Sequence, residues 1–278
     1  MTLIKLNNKL ISLGGNFLSI PGFDPYATSL INRMILTGET PTIQRQTLIN
    51  NTIVSARSKP FWNKLDALWC LAGHSVESSK LNWINSNHTC TTINSPTFTI
   101  DRGFTTNGVN NYINTNYNPY SNKVNLSLNS TSMGFYGRII TEQGNMYDMG
   151  CAESLSPVSY LLLTSRVSSH AVCYVYTNGI NYVFPSNSTV SLVICNRVNS
   201  TTQSLYLSTN KTSTNYSPIR IPNLNIYLGC FNYDLIIQQP KINQYAFSFV
   251  GGGLTDQDVA DMNSVFVDGY LNSIGAKI

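Results

Sequence analysis

Between about residue 90 and residue 250 the chain never runs long enough in one pattern to build a helix. Short stretches rich in Val, Ile, Thr, Tyr and Phe alternate with clusters of Asn, Gly, Ser and Pro. Such stretches include Thr97 to Ile100, Tyr112 to Thr115, Met133 to Thr141, Ser159 to Thr164 and Ala171 to Tyr176. Val190 to Cys195, Ser204 to Ser208, Leu224 to Leu228 and Gln244 to Phe249 continue the series. Thr177-Asn178-Gly179-Ile180 holds the Asn-Gly pair that suits a type I′ hairpin. Parallel strands need crossover helices between them, and this stretch offers none. The texture therefore predicts an antiparallel sandwich or barrel.

The flanks read differently. Asp24-Pro25 is an N-cap followed by proline at the first helical position, and Tyr26 to Thr37 then runs to Gly38. Thr40-Pro41 repeats the start signal, with Ile43, Leu48, Ile49, Ile53 and Val54 at mostly helical spacing. Phe61, Leu65, Leu68 and Trp69 predict a third helix over Pro60 to Leu71, closed by Gly73 and with His74 at its end. Ser75 is placed to cap a short turn running to Trp83. Near the end, Thr255 and Asp258 form a capping-box pattern before the apolar stripe Val259, Met262, Phe266 and Tyr270. Gly251-Gly252-Gly253, just ahead of it, reads as a flexible joint or tight turn. It lacks the spacing of a phosphate loop. The first residues, with Ile4, Leu6 and Leu10 on one parity, predict a strand.

Charge excludes several functions. Only 11% of the 278 residues are charged, and the net charge is +4. The mild positive balance reflects missing acids, with no Lys or Arg run, so neither a nucleic-acid partner nor a disordered chain is expected. No apolar run approaches the roughly 18 to 20 residues of a membrane span. The N-terminus, interrupted by Lys5, Asn7, Asn8 and Lys9, does not read as a secretory signal. Without one, Cys70, Cys90, Cys151, Cys173, Cys195 and Cys230 read as buried free thiols.

Candidate chemistry is sparse. No acid occurs from 102 to 141 or from 154 to 233, which leaves Asp101, Glu142, Asp148, Glu153 and Asp234 in the sandwich. Glycoside hydrolysis needs two carboxylates about 5 to 10 Å apart, and no Glu-x-Asp-x-Glu pattern is present. His74, His88 and His170 are too scattered for a local metal or triad motif. Asn107, Asn110, Asn111, Asn114, Asn116 and Asn118 are dense but include no carboxylate, so they read as turns rather than a calcium loop. No catalytic residue, metal or cofactor is expected. What remains is neutral and aromatic: sixteen Tyr and three Trp among abundant Asn and Ser. Tyrosine offers a flat apolar face and a hydroxyl, and Asn both donates and accepts, a combination that suits neutral glycans and equally a rigid polar surface with no ligand.

Three stretches carry a resemblance. Phe61-Trp62-Asn63-Lys64-Leu65-Asp66-Ala67-Leu68-Trp69-Cys70-Leu71-Ala72-Gly73-His74 leads to Leu81-Asn82-Trp83. Asn94 to Phe104 follows, then Gly108 and Tyr112-Ile113-Asn114-Thr115. Leu254-Thr255 opens a closing helix that ends Leu271-Asn272-Ser273-Ile274-Gly275. Over roughly residues 40 to 120 and 244 to 275, the chain resembles tailed-bacteriophage virion surface proteins with a concanavalin A-like (laminin G-like) jelly-roll.

That resemblance implies a mainly β fold: an antiparallel concanavalin A-like jelly-roll sandwich with a short N-terminal helical segment and a C-terminal helix. The expected organisation is an anchoring arm over 1–23, a helical segment over 24–89, and the sandwich over 90–278 with its closing helix at 255–274. It implies a non-enzymatic structural protein on the particle surface, as capsid decoration, head fibre or tail appendage. The implied partners are major capsid or tail proteins, further copies of the chain, and host-surface glycans. Leu3, Ile4, Leu6 and Phe17 are the expected anchor residues, and loop tyrosines Tyr112, Tyr117 and Tyr120 the expected glycan contacts. Asp66 and Lys64 are expected to be partly buried or paired with the sandwich, and Asp101-Arg102-Gly103 to form a turn with a local ion pair. The competing function is a sandwich-fold carbohydrate-active enzyme built on two of the five acids.

Overall fold

A computed structural model describes residues 3–6, 9–12, 21–144, 146–167, 170–177, 182–185 and 191–278. Among them the chain forms two large sheets of nine and eight strands. The nine-stranded sheet runs Tyr182–Pro185, His170–Thr177, Ser159–Val167, Met149–Glu153, Tyr227–Leu228, Tyr112–Asn114, Thr91–Ile93. A hairpin of Phe231–Tyr233 and Ile236–Gln238 adds to it through a parallel pairing with Met149–Glu153. The eight-stranded sheet runs Asn210–Asn215, Thr202–Leu207, Ser191–Arg197, Thr131–Ile140, Asn243–Gly251, Gly103–Thr105, Thr97–Thr99, with Leu65–Trp69 also paired to Asn243–Gly251. Every other pairing is antiparallel, as the strand texture predicts. All nine sequence-predicted strands are present. The hairpin expected around Asn178-Gly179 also forms, His170–Thr177 pairing with Tyr182–Pro185, while its turn lies outside the described residues.

Side-chain alternation separates three apolar layers. Met133, Phe135, Val193, Cys195 and Leu205 of one sheet meet Met149, Cys151, Leu161, Leu163 and Cys173 of the other between the sheets. The opposite parity of the eight-stranded sheet, with Tyr136, Leu192, Ile194, Tyr206 and Phe247, faces a layer of helices. The opposite parity of the nine-stranded sheet, with Ala152, Leu162, Val172 and Tyr174, gathers a smaller cluster with Phe231.

The helices over the first sheet start where the sequence predicts. Asp24 caps Pro25–Leu36 by accepting from the Tyr26 N–H at 2.8 Å. Thr42 caps Ile43–Arg57, two residues later than the Thr40-Pro41 signal, and the Pro41 carbonyl accepts from Gln46 Nε2. Ser75 caps the short helix Val76–Ser79. The capping box of Thr255 and Asp258 opens Asp256–Met262, which widens into the π-helical stretch Asn263–Leu271. Val259, Met262, Phe266 and Tyr270 are all buried. The Phe266 ring stacks on Phe247 at 5.0 Å, and Tyr270 meets Trp83 edge-on at 5.0 Å.

Four expectations are corrected. The third helix does not form: Pro60–Lys64 is a 3-10 turn and Leu65–Trp69 is a strand. Leu65 and Leu68 pack toward the helices, and Ala67 and Trp69 between the sheets. A strand buried on both faces shows no polar alternation, so its apolar residues mimic a helix stripe. His74 consequently ends no helix. The glycine run is no flexible joint: a Cβ on Gly251 would lie 2.3 Å from the Lys64 carbonyl, and one on Gly253 2.3 Å from that of Arg197. Glycine is needed there because backbones cross in contact. Asp101 pairs with Arg45 at 2.7 Å rather than with Arg102, whose Nη1 donates to the Asp101 and Ile274 carbonyls. The N-terminal strand is a hairpin, Leu3–Leu6 against Lys9–Ser12, and among the described residues it pairs with no other strand.

Lys64 and Asp66 behave as expected. Lys64 reaches Asp258 at 2.5 Å, tying the 3-10 turn to the closing helix. Asp66 is buried and collects donors from one loop: the Val124, Asn125 and Leu126 N–H groups at 3.0, 2.7 and 3.2 Å, and the Tyr117 hydroxyl at 2.6 Å. Replacing Asp66 with Ala leaves these buried donors unpaired. Asp66→Ala is therefore expected to lose about 3 kcal/mol or more of unfolding free energy, measured by urea denaturation. A loss below about 1 kcal/mol would remove Asp66 as the anchor of that loop.

Candidate functional site: a tyrosine face and an end cleft

Helices cover the outer side of the eight-stranded sheet, but no helix among the described residues packs over the outer side of the nine-stranded one. That uncovered side is paved with aromatic rings. Tyr147 lies 5.4 Å from Phe231 and 6.1 Å from Tyr174, Tyr160 lies 5.6 Å from Tyr174, and Tyr233 lies 6.3 Å from Phe231. Tyr147, Tyr160 and Tyr233 are half-buried, while Tyr174 and Phe231 form the floor beneath them. The rings meet edge-on or tilted, the arrangement aromatic quadrupoles favour, so neighbours hold each ring in place. Burial and the adjoining Tyr174 push the Tyr147 hydroxyl well above the ordinary phenol value. Burial, then Tyr233 and Tyr174, raise Tyr160. These phenols stay neutral at physiological pH and both donate and accept.

A second concavity opens at one end of the sandwich, with a volume of about 530 Å³. That is within the range of small-molecule sites. Tyr120 stands at its rim, 53% exposed, with the Lys123 ammonium 4.5 Å above its ring. Leu128, Leu155, Ile219 and Ile221 make apolar walls. Glu153 lies in the lining, already committed: its Oε1 accepts from the Asn223 N–H at 2.8 Å, and Arg220 Nε stands 3.6 Å from Oε2. Arg220 also donates to the Leu155 and Pro157 carbonyls, which closes the 153–159 loop. The charged groups of this cleft thus fix the loops that build it.

The three sequence-predicted contact tyrosines are not brought together. Tyr120 is exposed in the end cleft. Tyr112 lies half-buried on its strand, its ring 4.5 Å from Tyr227, whose phenol is pushed up to about 12 by burial and by Tyr112 itself. Tyr117 is fully buried and cannot present its ring to a ligand, because its hydroxyl is drawn inward onto Asp66. Of the anchor residues, Leu3, Ile4 and Leu6 fall in the N-terminal hairpin, and Phe17 lies outside the described residues.

The five sandwich acids each meet a cation or a backbone donor. Asp101 pairs with Arg45, Glu142 with Arg166, Asp148 with Lys241 and Glu153 with Arg220, and Asp234 accepts from the Ser154 N–H. Only Glu153 among them lines the end cleft. The dense asparagines work as turn caps: Asn107 Oδ1 accepts from the Val109, Asn110 and Asn111 N–H groups, and Asn118 Oδ1 from those of Tyr120 and Ser121. Among the described residues no group of three His, Cys, Asp or Glu is placed to hold a metal. All six cysteines are buried and unpaired, and burial pushes Cys70 and Cys173 up to about 12. No helix among the described residues is long and apolar enough to cross a membrane.

Neither protein-family profiles nor curated protein sequences match this chain. Solved structures do. A Trypanosoma rangeli sialidase in complex with 2,3-difluorosialic acid superposes with a TM-score of 0.55 at 10% identity, over 82% of this chain and 40% of that one. A mutant of the same organism's sialidase that displays trans-sialidase activity gives 0.55 at 9% identity, over 78% and 38%. Domain 4 of an extracellular arabinanase from Geobacillus stearothermophilus, in complex with arabinotriose, gives 0.44 at 13% identity, over 72% and 98%. This chain spans about two fifths of the sialidase chains it resembles. At such identities the likeness is one of fold, and the fold is the antiparallel jelly-roll sandwich expected from the sequence.

Proposed function

We propose that this chain is a non-enzymatic glycan-binding module displayed on the surface of a bacteriophage particle, and that it receives a neutral sugar chain on its tyrosine face. The observation that carries this reading is the asymmetry of the sandwich. One sheet buries its outer side under helices, and the other leaves Tyr147, Tyr160 and Tyr233 half-open above an aromatic floor. The C–H face of a pyranose stacks on such rings, and neutral phenols pair with its hydroxyls. The rings that pave this face carry no formal charge, which fits an uncharged ligand. The committed ion pair of Glu153 and Arg220 makes the end cleft the weaker glycan candidate.

Display on a particle is supported by the resemblance of the Phe61–His74 stretch and of the closing helix to virion surface proteins. It is also supported by the N-terminal hairpin. Two four-residue strands that, among the described residues, pair only with each other are marginal in water and call for a surface to pack on. A capsid or tail protein, or a further copy of this chain, supplies that surface in this reading.

Two experiments test these parts separately. On a glycan array, the wild type is expected to retain neutral oligosaccharides, and Tyr160→Ala to lose at least about tenfold in affinity, about 1.4 kcal/mol. Tyr120→Ala is expected to bind as the wild type does. The reverse pattern would move the site to the end cleft, and a wild type that binds no glycan would end the glycan reading. Deletion of residues 1–20 is expected to give a folded protein absent from purified particles. Normal incorporation of the deletion protein would remove the anchoring role.

A further inference from the structure

A lysine and an aspartate meet where strands of the two sheets begin, with no solvent near either. The Lys241 and Asp148 side chains are both 0% exposed, and Lys241 Nζ lies 3.2 Å from Asp148 Oδ2. Asp148 directly precedes the Met149–Glu153 strand of one sheet, and Lys241 lies two residues before the Asn243–Gly251 strand of the other. Neither group belongs to the tyrosine face or to the end cleft.

The groups around the pair are arranged about the two oxygens in different ways. Oδ1 accepts from the Tyr245 hydroxyl at 2.7 Å and from Asn243 Nδ2. On the other side, two hydroxyls each touch both partners. Thr164 Oγ1 is 3.2 Å from Asp148 Oδ2 and 3.0 Å from Lys241 Nζ, and Ser165 Oγ is 2.7 Å from the same oxygen and 3.3 Å from the same nitrogen. The Arg166 carbonyl accepts from Nζ at 2.7 Å and helps fix its position. Burial lowers the lysine from its ordinary value, Asp148 opposing. On Asp148 burial is outweighed by Lys241, by the Ser165 N–H at 2.6 Å from Oδ2 and by the Ser165 and Tyr245 hydroxyls, which hold it below the usual carboxylate range, so the pair rests charged before reaction.

We propose that Lys241 and Asp148 condense into an intramolecular isopeptide bond that joins the two sheets covalently. One ammonium proton passes through the Ser165 or Thr164 hydroxyl to Oδ2, leaving a neutral amine beside a carboxylic acid. The Nζ lone pair attacks Cγ, and the carbonyl electron pair moves onto Oδ1, where the Tyr245 hydroxyl and the Asn243 amide hold it. These are preorganised donors aimed at a developing oxyanion. A second nitrogen proton follows the same hydroxyls to Oδ2. The Cγ–Oδ2 bond breaks and water leaves, the Cγ=Oδ1 bond reforms, and the amide keeps one hydrogen on nitrogen. Three hydrogens begin on Nζ; two leave in the water and one stays. No oxidant, metal or further reactant enters. The close approach of nucleophile and carboxyl in a packed core replaces the activation that the same step requires in water.

Mass spectrometry of the purified full chain tests this. The intact mass is expected to fall below the sequence mass by one water, and proteolysis to release a branched peptide that joins the Lys241 and Asp148 segments. Lys241→Arg and Asp148→Ala are each expected to restore the full mass and to abolish the branched peptide. A folded wild type at full sequence mass overturns the proposal. So does a loss of water that yields only linear peptides, as a cyclised aspartate would. The wild-type measurement decides alone should either variant fail to fold.

Discussion

The strand Asn243–Gly251 is buried at each of its nine positions, and the rest of the molecule is arranged around it. It pairs with Thr131–Ile140 along one edge and with Leu65–Trp69 and Gly103–Thr105 along the other. A strand buried on both faces must be covered twice. Tyr245 and Val250 face the second sheet, while Phe247 and Phe249 face the helices. The helices Pro25–Leu36, Ile43–Arg57 and Asp256–Met262 with its continuation are spent on that covering. Each large apolar side chain buried this way contributes about 1.5–3 kcal/mol, so the helical layer is part of the fold and not an appendage.

Because the helices serve one sheet, the other is left with an outer side of its own. An antiparallel sheet can leave such a side wholly polar, but here Ala152, Leu162, Val172, Tyr174 and Phe231 form an apolar cluster on it. The chain fills this side with tyrosines, which close over one another and still show phenols to water. A low surface charge follows from the same composition, with 11% charged residues. Three of the charges tie elements together from inside. Asp66 gathers the 117–126 loop, Lys64 ties the sandwich to its closing helix, and Asp148 joins the two sheets through Lys241.

Much of this was readable from the residues. The strands with flanking turn residues, the Asp24, Ser75 and Thr255 caps, and the closing stripe all follow from local chemistry and survive in three dimensions. What was hidden lies where an element is buried on both faces. Leu65–Trp69 looks helical because apolar residues on both sides erase the period of two. The tyrosine face was hidden for the same reason: in Ser159–Val167, Tyr160 and Leu162 point outward and Leu161 and Leu163 inward, so the run carries no alternation. The available signal was a shortage of helices, too few to cover both sheets, which requires one outer side to stay open. Tyr117 was misplaced because its loop reads as polar, and only the distant Asp66 draws it inside. Asp101 was assigned to its neighbour Arg102, whereas its partner Arg45 lies 56 residues away in sequence.

Hydroxyl-radical footprinting of the tyrosines, with and without a retained glycan, reads the open face most directly. In the free chain Tyr147, Tyr160 and Tyr233 should be oxidised while Tyr117, Tyr206, Tyr245 and Tyr270 are protected, and glycan should shield the first three. Protection of Tyr147, Tyr160 and Tyr233 in the free chain, or unchanged oxidation of all three with glycan bound, would contradict the account.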